Sequence, residues 1–522
     1  MTRTANVKTN LIFNTIKFTT QLILQFAIRT ALIYLMGAEY LGLNGLFSNV
    51  LAFLNLAEVG IGTAIVFNMY KPITENDTEK IKALQNLYKK FYLVISSIVL
   101  VLGVAILPFI KHFINGDVSL DINIYVIYFM YLVNTLVGYL AAHKRSLLFA
   151  YQRNDIENKI KTFCLFFMTA IQIVVLFAFK NYYAYFAITI VFTAIESLLI
   201  SKIAKKLYPQ LNGKAPELDI ETKKEIKKNI GALSLHKIGS TVVFSTDNIL
   251  ISTILGLTVL GAYSNYVLII STITSLFVIV SNAIGGSVGN LVASLDKKYV
   301  YVKYNQIKFI LSFLTAISTV CMIVLFQPFI RVWTGGGIYV LELSTVILLV
   351  VSFYFSRMRM ATSIFKDAAG LFWQNRFAPI FEAIINLVVS IVLGWFMGIN
   401  GIIIGTILST VLVPLWVEPK MLYKHYFKKS MRKYFIDILF NMLAIAVATI
   451  ICYFICSFIP ECGILWLIVR FVVCIILCII LLLLIYCKTK DFKSCVKWLK
   501  EIMHNFKSNK PIKTPQNIDN SK

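Results

Sequence analysis

The chain has 522 residues, 58% of them hydrophobic and only 14% charged, with a mean hydropathy of +0.77. That balance excludes an ordinary soluble globular protein and indicates an all-α polytopic membrane protein. A net charge of +25 would suggest nucleic acid in a soluble chain. Here the cations fall in short loops between apolar runs, so the positive-inside rule accounts for them and no nucleic-acid partner is expected.

Span one, about Asn10 to Met36, carries Asn10, Asn14, Lys17, Gln21, Gln25 and Arg29 at steps of three or four residues. On a helix these fall on one face, within an arc of about 120°. A face that polar cannot meet hydrocarbon, so it is expected to line a wet interior. Span two, about Leu43 to Met69, holds Asn44, Ser48, Asn55, Glu58 and Gly62. Spans three to six are expected at about Phe91 to Ile110, Ile122 to Ala142, Phe163 to Phe179 and Ala184 to Ile203, with Glu196 a local anchor near the inner end of span six. The tight turn Lys180-Asn181-Tyr182-Tyr183 joins the last two. A charged loop from Lys205 to Lys228 follows, and its part from Glu217 is expected to form a short surface helix.

Span seven, about Ile230 to Leu255, contains His236, Lys237, Ser240, Asp247 and Asn248. Spans eight to twelve follow at about Ala262 to Leu291, Ile307 to Phe326, Tyr339 to Ser363, Pro379 to Phe396 and Ile402 to Tyr423. Gly285, Gly286 and Gly289 suggest close packing or a bend in span eight, and Pro414 a kink in span twelve. A last pair covers about Phe435 to Phe458 and Ile464 to Tyr486. A basic tail, read as unstructured beyond Lys513, ends the chain. Most of the 50 lysines and arginines lie at the N-terminus, in the loops after even-numbered spans and in the tail. Loops after odd-numbered spans hold only Lys111, Lys180 and Arg331. About fourteen spans with both termini cytoplasmic, in the plasma membrane, is the resulting expectation.

Three elements recur at nearly constant offset. Leu35-Met36-Gly37 through Leu41-Gly42 matches Ile254-Leu255-Gly256 through Leu260-Gly261, about 219 residues on. Pro108-Phe109-Ile110 matches Pro328-Phe329-Ile330, and Tyr151-Gln152-Arg153-Asn154 resembles Trp373-Gln374-Asn375-Arg376. The agreement in order and offset argues for duplication of a six-helix unit. The expected organisation is an N-terminal lobe over 1–207, a linker over 208–229 and a C-terminal lobe over 230–426. An extra helix pair over 427–487 and a basic tail over 488–522 complete it. A substrate site is expected between the lobes, with Arg29 and Asp247 at similar depth on equivalent helices. Lys17, Gln21, Gln25, Arg29, Asn55, Lys237 and Asn248 are the cavity-lining candidates, and Glu58 and Asp247 the candidates for ion coupling.

Nucleotide-binding, zinc-protease and serine-hydrolase motifs are absent. The nine cysteines sit mostly inside spans and form neither a disulfide framework nor metal spacing, so no metal or cofactor is expected. Every external loop is short, which favours a transporter over an enzyme that must hold a glycan acceptor at the outer face.

The run Leu35-Met36-Gly37-Ala38-Glu39-Tyr40-Leu41-Gly42-Leu43-Asn44-Gly45-Leu46-Phe47, with Leu56-Ala57-Glu58-Val59-Gly60-Ile61-Gly62 and Tyr70-Lys71-Pro72-Ile73, resembles the polysaccharide flippases of Gram-positive bacteria. These belong to the multidrug/oligosaccharidyl-lipid/polysaccharide exporter superfamily. Thr246-Asp247-Asn248-Ile249-Leu250-Ile251-Ser252 and Pro328-Phe329-Ile330-Arg331-Val332-Trp333 fit the same family. The resemblance implies alternating access and a polyprenyl-diphosphate-linked oligosaccharide as cargo, with glycosyltransferases and a glycan polymerase as partners besides membrane lipids. It also implies that basic cavity residues bind the diphosphate, here Arg29 and Lys17. Placing Glu58 and Asp247 in the same cavity departs from the family pattern. An ion-coupled drug exporter of the same fold, a glycan polymerase or ligase, and a scaffold subunit are the competing expectations.

Overall fold

The computed structural model describes residues 3–507 except 59–60, 117–119, 212, 214–215, 219–221, 223, 225, 227–244, 372–373 and 462. Side chains are described for these apart from 3–14, 56–57, 61, 63–64 and 502–507. Described helices are α1 (Arg3–Leu35), α2 (Ala38–Leu54), α3 (Ile61–Thr74), α4 (Thr78–Ile106), α5 (Ile124–Tyr139), α6 (Ala142–Ala150), α7 (Asn154–Phe179) and α8 (Tyr182–Leu207). After the described part of α9 (245–255) come α10 (Leu257–Ser294), α11 (Lys297–Thr334), α12 (Leu343–Met358), α13 (Met360–Ala368), α14 (Ala378–Met397) and α15 (Ile399–Leu412). The chain closes with α16 (Pro414–Met421), α17 (Arg432–Ser457), α18 (Gly463–Tyr486) and α19 (Lys490–Lys507). No strand occurs among the described residues.

Eleven of these helical stretches are long and apolar enough to cross a membrane, and the bent pair α5–α6 makes a twelfth. The chain is therefore a multi-pass membrane protein. The two further expected spans differ for separate reasons. Span seven lies largely outside the described residues, as do Lys237 and most of the expected surface helix. Span two is not one helix. It stops at Leu54, tightens into a 3-10 turn over Asn55–Glu58 and resumes at Ile61. Gly62, a poor helix former, lies in the first turn after that break.

The ends of the spans follow local chemistry. The Asp77 carboxylate caps α4 by accepting from the Lys80 amide at 2.9 Å, and Asp296 caps α11 in the same way. The expected tight turn after α7 is present: Lys180 adopts φ 46° and Asn181 caps α8 through the Ala184 amide. Pro414 breaks its span as expected, since α15 ends at Leu412 and α16 begins at the proline. The three glycines of span eight behave otherwise. The helix α10 runs through them uninterrupted, and a Cβ at Gly285, Gly286 or Gly289 would meet nothing within 4 Å. They open space beside the helix instead of closing it. In the basic tail, residues 490–507 form α19, with Phe492 and Cys495 turned inward and Lys493, Lys497 and Lys500 outward, while the part beyond Lys513 lies outside the described residues.

The chain divides into two compact units, Met1–Ser264 and Asn265–Lys522. In the first, α1 packs on α7, α7 on α8, and α5 on α8. In the second, α11 is the central helix, buried against α12, α17 and α18 around Tyr304, Leu311, Val320 and Cys474. Large apolar side chains such as Trp395, Phe396 and Leu465 remain exposed, as lipid-facing surfaces require. The α14–α15 hairpin is glycine-fitted: a Cβ on Gly401 would lie 2.0 Å from the Leu393 carbonyl oxygen.

Two pairs of helices that stand at the offset read from the sequence agree in length. The helix α12 repeats the length of α5, 16 residues each, and α13 that of α6, 9 residues each. The repeated glycines meet in the first unit. A Cβ on Gly42 would lie 2.0 Å from the Leu257 carbonyl oxygen, and one on Gly261 2.0 Å from that of Ala38. Ala38 and Leu257 are themselves counterparts at the same offset, as are Gly37 (φ 97°) and Gly256 (φ 88°), each just before its helix.

Candidate functional site

In the first unit α1, α2, α5, α7 and α8 line an open chamber of about 420 Å3. Its floor is amide and hydroxyl: Gln25 from α1, Asn44 and Ser48 from α2, Asn55 from the break, Asn134 and Thr135 from α5, Thr169 and Gln172 from α7, and Thr189 from α8. Leu24, Leu51, Met168, Tyr185 and Phe186 supply apolar and aromatic surface. None of the lining residues is charged. Some of the polar groups are already engaged, since Gln172 Nε2 donates to the Thr189 hydroxyl at 2.8 Å and to the Tyr185 carbonyl at 3.2 Å. The buried Oδ1 of Asn134 has no hydrogen-bond partner among the described residues. A buried amide left so is costly unless a ligand or water completes it.

Arg29 stands beside this chamber, half-buried, donating to the Ser264 hydroxyl, which in turn donates to the Gly261 carbonyl at 2.7 Å. The phenols of Tyr131, Tyr182 and Tyr185 lie within its electrostatic reach, the first two sharing a hydrogen bond of 3.1 Å. Asp247, buried on α9, lies within electrostatic reach of Tyr263, the residue next to Ser264. The cation and the acid thus converge on consecutive residues at the start of α10. Asn248 is half-buried on the same helix as Asp247. Lys17, near the middle of α1, is not among the chamber's lining residues and lies within electrostatic reach of Glu157, Lys161 and Glu196. Gln21, between Lys17 and Gln25 in sequence, is half-buried.

Glu58 occupies a second polar nest at the break in span two. Tyr92 donates to its carboxylate, Tyr88 lies 3.3 Å from the Tyr92 hydroxyl, and Tyr139 donates to Asn55 at 2.6 Å. Gly62 is what lets Tyr88 in, since a Cβ there would lie 2.6 Å from the phenol oxygen. Glu196, expected as a local anchor, pairs with Arg145 at 2.9 Å.

Of the expected cavity residues the structure therefore gathers Gln25 and Asn55 in one chamber, with Arg29 at its edge. Sequence reading missed Asn134, Thr169, Gln172 and Thr189. Their signal was present, as isolated polar residues inside apolar runs, but without the repeated spacing that marked span one.

Several solved structures share this architecture. "Lipid II flippase MurJ, inward closed conformation" matches with TM-score 0.62 and 16% identity, covering 91% of this chain and 99% of that one. An inward-facing multidrug resistance MATE family transporter of the MOP superfamily matches with TM-score 0.57 and 15% identity, over 80% of this chain and 99% of that one. The chain shares the fold of these two structures. A mutant form of the Vibrio cholerae MATE transporter VcmN matches similarly, with TM-score 0.55, 12% identity and coverage of 82% and 99%. At such identities the likeness of the MOP fold speaks for architecture alone. No protein-family model matches the sequence, and no curated protein does.

Proposed function

We propose that this protein is a flippase, moving a polyprenyl-diphosphate-linked oligosaccharide across the cytoplasmic membrane by alternating access between its two six-helix repeats, with both termini on the cytoplasmic side. The observation that supports it best is the chamber of the first unit. It is uncharged, amide- and hydroxyl-lined and partly aromatic, with a guanidinium at its edge. Sugars are bound by such hydrogen-bonding groups over aromatic faces, and a diphosphate by a guanidinium fork. Asp247 and Glu58 are the residues through which a proton or sodium ion would be coupled. Glycosyltransferases that build the cargo and a polymerase that consumes it are the partners this activity requires.

The second reading is an ion-coupled exporter of small cationic molecules, favoured by the membrane carboxylates of Asp247 and Glu58. Against it stands the chamber itself, whose lining holds no acid to attract a cation.

The test is transport of a fluorescent lipid-linked oligosaccharide in proteoliposomes. Arg29→Ala is expected to lose most of the activity and Arg29→Lys to keep part of it. Equal activity of the two variants would remove the diphosphate role, and transport of a cationic dye untouched by Arg29→Ala would establish the exporter.

A further inference from the structure

A larger cavity lies in the second unit and has no part in the transport reading. It is an open groove of about 1340 Å3, beyond the roughly 300–1,000 Å3 of ordinary small-molecule pockets. Its walls are the last turns of α10, the first turns of α11 and one side of α19, with Ile284, Leu291, Ile307, Phe492 and Val496 among the apolar lining. The rim is cationic: Lys303, Lys493, Lys497 and Lys500 line it, with Glu501 the one acid among its lining residues.

The groove is a built feature. Gln306 Nε2 donates to the Ser494 hydroxyl at 2.9 Å, Lys433 pairs with Asp491 at 2.9 Å, and Cys495 is buried beneath α19. Lys303 on α11 places its Nζ 4.4 Å above the Trp498 ring of α19, bridging the mouth. An amphipathic basic helix alone would lie on the membrane surface with its apolar face in the acyl region. Here that face is held off two membrane spans, leaving between them a slot with hydrocarbon walls and an ammonium rim.

We propose that this groove binds an anionic phospholipid, its acyl chains lying along α10 and α11 and its phosphate held by Lys303, Lys493, Lys497 and Lys500. Charge complementarity selects the head group, since juxtamembrane lysine clusters draw anionic lipids and discriminate little among zwitterionic ones. The walls select a lipid over a peptide, because two of them are membrane spans. The groove shares no lining residue with the chamber of the first unit, where the proposed cargo binds, so its occupant is taken as a resident lipid and the proposal holds whatever the transporter carries.

Trp498 reports on the groove directly. The full-length protein in detergent is titrated with brominated phosphatidylglycerol or brominated phosphatidylcholine, and the Trp498→Phe variant is subtracted to isolate that one tryptophan. Brominated phosphatidylglycerol is expected to quench the Trp498 signal at lower concentration, with affinity falling about fivefold for each of the four lysines changed to glutamine. Lys493, Lys497 and Lys500 are exposed, so the triple variant keeps its fold and carries the measurement even if the Lys303 change does not. Equal quenching by the two lipids would overturn the proposal, as would a head-group preference that survives the triple variant. Displacement by polyprenyl phosphate at lower concentration than by phosphatidylglycerol would reassign the groove to the cargo path.

Discussion

Glu418 holds together one of the second unit's buried ion clusters. Its carboxylate lies 3.0 Å from Lys366 Nζ and 3.2 Å from an Arg359 nitrogen, with Lys366 and Glu418 both almost fully buried. Removing one partner strands the others in a medium that cannot solvate them. Glu418→Gln should therefore cost about 3–5 kcal/mol, read as a large fall in melting temperature in detergent. Glu461, in the α17–α18 connection, illustrates the opposite regime. Burial pushes its carboxyl up, but hydrogen bonds from Arg470 and Arg331 outweigh this and hold it below the usual carboxylate range. A lowered folded-state pKa stabilises above the unfolded value of about 4.3 and is lost as pH falls through the folded one. Glu461→Gln should thus lower stability by up to about 1 kcal/mol at neutral pH, the pair being partly exposed, and the difference from wild type should vanish in acid. Polar residues in periodic order, as in span one, were legible in the sequence. Lone ones such as Asn134 and Gln172 acquired meaning only when five helices brought them together.

Among the elements, span two is the most instructive. Its hydropathy predicts one continuous helix, yet the chain breaks over Asn55–Glu58 and presents a carboxylate to a nest of phenols. The nearby Gly62 was a warning of weak helix, but hydropathy averages over such positions. If Glu58 carries the coupling ion, Glu58→Gln should leave downhill exchange intact while making net transport indifferent to an imposed pH or sodium gradient. An unchanged gradient response in reconstituted vesicles would return Glu58 to a structural role. The helix α19 was hidden for a different reason. Its lysines dominate the composition of the tail, while the apolar positions Phe492, Cys495 and Val496 follow helical spacing that only a packed partner makes useful.

For the molecule as a whole, the apolar runs and the distribution of lysine fixed the class of fold, and three short matches gave the offset of its repeat. What they could not give was how closely the two repeats approach. Gly42 and Gly261 admit backbone carbonyls at distances where a methyl group cannot sit. Alanine at either should cost about 1–3 kcal/mol, with similar falls in melting temperature. Alanine at Gly138, a helical position with nothing within 4 Å of its Cβ, should be neutral or slightly stabilising.

The mirrored placing of those two glycines reaches back further than stability. Residue i against counterpart j, and j's twin against i's twin, is how the same patch meets itself when two copies of one polypeptide associate. A shorter ancestor with a single six-helix unit would have used one glycine for both roles, so that any change there struck twice at once. In a single chain that carries both copies, the two positions can change independently.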